Sequence, residues 1–135
     1  MLEFKEIKEK IFADPCAKLL GVKFLELKPG YAKVSMPVRE DMLNFHGTTH
    51  GGIIFALADV AFSAASNSHG QLAVALNVNI TYLKATSSGN TLIATGVEEK
   101  VTRKTGLYRI TVEDEMGHLI AVFQGLVYRK EQPLL

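Results

Sequence analysis

Cysteine is nearly absent: the 135 residues hold one, Cys16. One thiol makes no internal disulfide, and a single cysteine does not supply a zinc site. Cys16 therefore reads as a small buried or half-buried side chain rather than a nucleophile. That usage fits a reducing compartment, and a cytoplasmic location is the expectation. Charge of one sign is also lacking. Fifteen Lys and Arg stand against fourteen Asp and Glu, for a net charge of +1. A nucleic-acid-binding surface needs a strong basic excess, so no nucleic-acid partner is expected. No long hydrophobic run occurs either. The longest, GGIIFALADVAFSAA, is interrupted by Asp59 and Ser63 and is too short to span a bilayer. The opening MLEFKEIKEKIF carries glutamates and lysines where a signal peptide would carry an apolar core. No membrane association is expected. Internal repeats, low-complexity segments and linkers are missing as well.

What remains is the composition of a globular protein, 47% hydrophobic and 21% charged. A chain of this length buries roughly 70% of its unfolded surface, enough for one core and one domain over residues 1–135. Phe4, Ile7, Ile11 and Phe12 recur at helical spacing, and Asp14-Pro15 opens a second short helix closed by Gly21. Together these make an N-terminal helical segment over 1–20. VKFLELK and YAKVSMPV read as strands joined at Pro29-Gly30. Gly51-Gly52 opens a helix running to about Asn67 and stopped by His69-Gly70. Four strands follow: AVALNVNITYL, TLIATGVEEKV, TGLYRITVED and LIAVFQGLVYRK. The turn Ser87-Ser88-Gly89-Asn90 and the tight loop Glu115-Met116-Gly117 separate them, and EQPLL reads as a frayed tail. Short turns make the sheet mostly antiparallel. A helix that is apolar nearly all round has to be covered on most sides. The expected class is α+β, a sheet curled around a long helix whose small residues (Ala56, Ala58, Ala61, Ala64, Ala65) permit close approach.

One stretch carries a chemical question. NFHGTTHGGIIFALAD, residues 44–59, turns from polar to apolar and then places Asp59 in the apolar part. A carboxylate there loses hydration and has to be paired, neutralised or used. Asp59 is either a structurally paired carboxylate or a catalytic one. Gly51 is either a helix-entry glycine or the donor of a free N–H at the positive end of the helix. Asn44 and His50 are turn-forming or loop-ordering residues unless they meet a substrate. Ser63, one turn beyond Asp59, either orients that carboxylate or bonds its own helix backbone; the second is preferred.

The pattern Asn44-x-x-Gly47-x-x-His50-Gly51-Gly52, followed by Phe55-x-Leu57-x-Asp59, resembles the motif of hotdog-fold acyl-CoA thioesterases of the phenylacetate-pathway (PaaI) type. Asn79-Ile80-Thr81-Tyr82-Leu83, Thr105-Gly106-Leu107-Tyr108 and Gly117-x-Leu119-Ile120-Ala121 extend the resemblance over almost the whole chain beyond the first helix. It implies the hotdog fold, a curved antiparallel sheet wrapped around one long helix. It also implies hydrolysis of a CoA thioester to free acid and CoA. Asp59 is then general base or nucleophile, the Gly51 N–H polarises the thioester carbonyl, and Asn44 holds water or substrate. His50 hydrogen-bonds near the thioester. The nearest polar candidate for holding water on the strand after the helix is Asn77.

Phe55, Phe62, Leu76 and Tyr82 are the expected acyl-pocket wall. Lys84, Lys100, Arg103 and Lys104 are either the partners of the CoA phosphates or ordinary surface charge. No cofactor is expected, since CoA is part of the substrate. A homodimer at least, and a homotetramer by expectation, covers the sheet's exposed edges, with Asn44 and Gly51 of one chain facing Asp59 of another. Three rival readings compete. A metal hydrolase using His46 and His50 lacks an acid between them and a third ligand. A hotdog dehydratase lacks its His–acid motif. A non-catalytic acyl-CoA-binding module has no need of Asp59.

Overall fold

The computed structural model describes residues 2–135; the first residue of the N-terminal helical segment lies outside them. Two short helices lead, α1 (Phe4–Phe12) and α2 (Pro15–Leu20). Asp14 caps α2 by accepting from the N–H groups of Cys16 and Ala17. Gly21 ends it in the left-handed region at φ 73°, where a residue without Cβ meets no steric penalty. Cys16 is exposed, against the expectation of a buried thiol. It stands in the first turn of α2, whose buried residues are Ala17 and Leu20.

Strands β1 (Lys23–Lys28) and β2 (Tyr31–Pro37) form the first hairpin. A loop containing a short 3-10 turn leads to the long helix α3 (Gly51–Asn67), with the bounds its glycines and His69-Gly70 foretold. Strands β3 (Gln71–Tyr82), β4 (Thr91–Val101), β5 (Thr105–Asp114) and β6 (Leu119–Pro133) complete the chain. All neighbouring pairs are antiparallel, in the order β1-β2-β4-β5-β6-β3. This is the hotdog architecture. Alternation works as read: Tyr108, Ile110 and Val112 are buried, while Arg109 between them is exposed.

Two expectations about connections fail. The Ser87–Asn90 turn joins no hairpin, because β3 pairs with β6 at the opposite side of the sheet from where β4 begins. Residues 83–90 are a crossover. The tail is also not frayed as far as Leu134. Strand β6 runs to Pro133, which pairs with Gln71, and the Leu134 N–H donates to Gly70 O at 2.8 Å. The fifteen-residue β6 outlasts β5 and continues alongside the start of β3.

Helix α3 lies on the sheet, against β2, β4, β5 and β3. The approach is close. A Cβ at Gly96 of β4 would stand 3.2 Å from Ala61 O of the helix, and one at Gly125 of β6 would enter the Phe62 ring at 2.5 Å. Ala58, Ala61 and Ala65 are fully buried in that contact, as their small size required. The sheet has two edges, β1 and β3, and among the described residues β3 has no neighbour on its far side. Its surface is apolar for an edge: Val74, Leu76 and Tyr82 are exposed, Leu76 to 58%.

Candidate functional site

The loop before α3 is built around Asn44. Its Oδ1 accepts from the N–H groups of His46 and Thr48, and its Nδ2 donates to Thr48 Oγ1 at 2.8 Å. Gly47 turns the chain at φ 91°. Asn44 therefore does what a turn asparagine does, and one of its two N–H hydrogens remains uncommitted. The Thr49 and Thr86 hydroxyls bond each other at 2.7 Å and fasten the loop to the β3–β4 crossover.

His50 is the N-cap of α3. Its Nδ1 accepts from the Gly52 N–H at 3.2 Å, and its carbonyl accepts from Ile53 and Ile54 at 2.9 and 3.3 Å. In the neutral ring the proton is therefore on Nε2. A helix leaves its first four N–H groups without intrahelical partners. Here Gly52, Ile53 and Ile54 have been satisfied, and among the described residues no acceptor meets the N–H of Gly51. It sits at the positive end of a seventeen-residue helix, where negative charge is stabilised. Tyr82, Leu83 and Lys84 line an open groove beside Gly51 and Thr49.

Asp59 lies on the same helix but elsewhere. Asp59 is eight residues along α-helix from Gly51, about 12 Å along the axis. Its half-buried carboxylate lines a cavity of about 250 Å³ with Phe62, Ser63, Ser66, Ala73, Val74, Ala75 and Val127. Burial pushes its carboxyl above the ordinary aspartate range, and the nearby charge of Asp14 adds to the rise. Among the described residues no hydrogen bond or ion pair meets the Asp59 carboxylate, and no lowering cause opposes the rise. A half-buried carboxylate made more basic, and without a partner among the described residues, is equipped to take a proton or to attack.

Phe62 takes its expected place in this cavity, but Phe55 does not. Phe55 packs on Phe123, centroids 5.3 Å apart, and is absent from the Asp59 cavity because, although it shares a face of α3 with Asp59 and Phe62, it lies one turn nearer the helix start. Leu76 and Asn77 are exposed on the free edge, at a bulge between Ala75 and Asn77 that leaves Leu76 unpaired to β6, and do not line the cavity. Tyr82 stands by Gly51 instead, its hydroxyl donating to Gly51 O at 2.7 Å. The Ser63 side chain lines the Asp59 cavity; the hydrogen bonds at this residue go to its carbonyl, from Ser66 and Asn67, so the expected bond of its hydroxyl to its own helix is not made. Ser66 and the charge of Asp14 on Asp59 were not foreseen; Asp14 was expected only as a helix cap. Ser66 falls four plus three residues after Asp59, a helical spacing that was there to be used.

The four cations do not converge within one chain. Lys84 follows β3 at the end of the sheet where Tyr82 pairs Ala121 and Val112 pairs Ala94. Lys100, Arg103 and Lys104 surround the β4–β5 turn at the opposite end, where Thr105 pairs Tyr128 and Tyr128 pairs Val74. Arg103 is ion-paired with Glu131 at 2.9 Å, both side chains well exposed.

Comparison with known proteins agrees with the fold and the motif. The thioesterase superfamily model matches residues 46–121, more than half of the chain. The acyl-coenzyme A thioesterase PaaI of Escherichia coli K12 is 40% identical over 116 residues, 86% of this chain and 83% of that protein. The structure of E. coli PaaI superposes with a TM-score of 0.93 over 96% of this chain and 95% of that one. The phenylacetic acid degradation protein PaaI of Thermus thermophilus, solved as a point mutant, is 45% identical. It covers 87% of this chain and all of that one, with a TM-score of 0.84. A Streptococcus mutans UA159 structure bound to acetyl CoA is 28% identical, TM-score 0.80, over 83% of this chain and 90% of that one. On the matched family model, the similar relatives and the shared architecture, the chain belongs to the thioesterase superfamily and is a thioester hydrolase of hotdog fold.

Proposed function

We propose that this protein hydrolyses acyl-CoA thioesters at sites shared between two copies of the chain. The observation that carries the reading is the split of the chemistry along α3. A free N–H fit for an oxyanion stands at Gly51, and an unpaired, desolvated carboxylate stands about 12 Å away at Asp59. One thioester carbonyl cannot meet both in a single chain.

Edge strand β3 supplies the remedy. Its start, Ala73–Ala75, walls the Asp59 cavity, and its end, Tyr82, walls the Gly51 groove. Antiparallel pairing of β3 with its own copy about Asn77–Val78 sets Ala73 opposite Tyr82 of the second copy. It also buries the apolar free edge. Each Asp59 cavity then faces a Gly51 groove, and two equivalent sites result. The same pairing brings Lys100, Arg103 and Lys104 of one copy to the end of the sheet that carries Lys84 of the other. Those cations then flank the groove as partners for CoA phosphates.

In this site the acyl carbonyl oxygen points at the Gly51 N–H. Asp59 draws a proton from water as it attacks the carbonyl carbon, or attacks directly and forms an anhydride that water then opens. The oxyanion builds on the Gly51 N–H, worth roughly a hundred- to thousandfold in rate for such a donor. The C–S bond breaks, and CoA leaves as the thiolate and takes up a proton. Asn44, at the loop beside Gly51, offers its uncommitted N–H to the water or the substrate. CoA is part of the substrate, and the reading requires no further cofactor. The relative named as an acyl-coenzyme A thioesterase and the neighbour bound to acetyl CoA support this substrate class. No helix among the described residues is long and apolar enough to cross a membrane, and a cytoplasmic homodimer, or a homotetramer of two such dimers, completes the proposal.

The test is Asp59→Asn, which keeps the shape but can neither accept a proton nor attack. Released thiol is followed over aromatic and aliphatic acyl-CoAs, with melting temperature recorded alongside. Hydrolysis nearly vanishes while folding and substrate binding persist. Turnover close to that of the parent protein removes Asp59 from the chemistry.

A further inference from the structure

The peptide unit joining Gly51 to Gly52 is gripped at both poles. Its N–H, on Gly52, donates to His50 Nδ1 at 3.2 Å. Its carbonyl, on Gly51, accepts from the Tyr82 hydroxyl at 2.7 Å. The Tyr82 ring also lies on the Gly51 Cα. A Cβ added there would meet the hydroxyl oxygen at 3.2 Å and ring carbon Cζ at 3.3 Å. Among the described residues, the one N–H of the first turn left without an acceptor belongs to Gly51, just before this clamped unit.

A helix that opens on two glycines begins with its most freely rotating backbone. An N–H that wanders has to be ordered at the moment the oxyanion forms, whereas a fixed one stabilises charge without reorganising. Tyr82 lies thirty-one residues from Gly51 in sequence. Its bond therefore ties the helix start to the sheet rather than to the loop that precedes it. Burial raises the Tyr82 hydroxyl above its ordinary range, which favours its donating form.

We propose that Tyr82 is a positioning residue for thioester hydrolysis, which together with His50 clamps the Gly51–Gly52 peptide and so holds the Gly51 N–H on the thioester carbonyl. The inference rests on the role given to Gly51 above. It assigns Tyr82 a place in the rate of the chemical step rather than in the wall of the acyl pocket.

Tyr82→Phe removes one oxygen from a partly exposed ring and leaves the packing on Gly51. The expected result is a fall in kcat of about tenfold, a fraction of what an oxyanion donor contributes. KM for acyl-CoA stays within about twofold and the melting temperature is maintained. Gly51→Ala gives the same signature by a second route, since its methyl forces the ring and the helix start apart. An unchanged kcat for Tyr82→Phe overturns the proposal. So does a raised KM at constant kcat, which makes Tyr82 a substrate contact. Asp59→Asn measured in the same assay separates the two levels. If it is inactive while Tyr82→Phe is unimpaired, the clamp alone is wrong; if it is fully active, the hydrolytic reading itself fails.

Discussion

Gly125→Ala tests whether close helix–sheet packing sets the shape of the Asp59 cavity. Gly125 lies in β6 between Tyr108 of β5 and Val78 of β3. A Cβ there falls 2.5, 2.7 and 2.8 Å from three carbons of the Phe62 ring, where ordinary contact starts at 3.4 Å. The ring therefore has to retreat by close to an ångström. Two directions are closed, by Tyr108 with its centroid 6.0 Å away and by Phe123 at 5.5 Å, both buried. The open direction is the cavity that Phe62 lines with Asp59.

Overpacking of this kind costs about 1–3 kcal/mol. For a domain of this size that lowers Tm by roughly 4 °C per kcal/mol, or about 4–12 °C in all. Because the ring tips into the cavity, kcat/KM for acyl-CoA falls as well. Scanning calorimetry at one fixed protein concentration, which an oligomer requires, reads the first effect, and a released-thiol assay reads the second. Adding Phe62→Leu to Gly125→Ala removes the collision, so the double variant is more stable than the sum of the single effects. A Gly125→Ala protein melting within a degree of the parent, or strictly additive costs in the double variant, refutes the packing argument.

Further consequences follow from charge. Because burial raises the Asp59 pKa, activity is lost at its acid edge at a higher pH than an ordinary aspartate dictates, as the carboxylate takes up a proton. Asp14→Asn removes the second cause of the rise, so the acid edge of the kcat/KM profile moves to lower pH; no movement disproves the coupling. The stability sign is the reverse of a paired carboxylate. A raised folded-state pKa gives a contribution fully present below the unfolded value of 3.8 and lost as pH rises through the folded value, so Asp59→Asn melts no lower than the parent at pH 7. Arg103→Ala with Lys104→Ala raises KM for an acyl-CoA more than for the matching pantetheine ester, which lacks the nucleotide phosphates; equal effects on both remove these cations from CoA binding.

Much of the architecture could be read from local pattern. The bounds of α3 follow from Gly51-Gly52 and His69-Gly70, and the alternation of β5 from Tyr108 to Val112, because both signals are contained in neighbouring residues. Strand order was not legible. That β3 crosses to the far side and pairs with β6 depends on contacts between residues more than about thirty-five apart along the chain, and the turn at Ser87–Asn90 looks the same in a crossover as in a hairpin. The ordered tail failed for the same reason, since its partner is Gln71. At the site, Asp59 and Gly51 stood out as a carboxylate in an apolar run and a glycine at a helix start. The places of Phe55 and Tyr82, both expected in the acyl-pocket wall, were not legible, because how far along α3 or at which end of β3 a cavity opens is settled by packing. The bond from Tyr82 to Gly51 has no signature in sequence at all.

The shared site is tested most directly by subunit complementation. Asn44→Ala and Asp59→Ala chains, each inactive alone, are co-expressed and the mixed dimers isolated by differential tags. If Asn44 and Gly51 of one chain face Asp59 of the other, each mixed dimer holds one site with both defects and one with neither. With random pairing about half the dimers are mixed, so roughly a quarter of the parent activity returns before they are isolated. If each site draws all its residues from a single chain, every site carries a defect, and mixed dimers that form but stay inactive contradict the account.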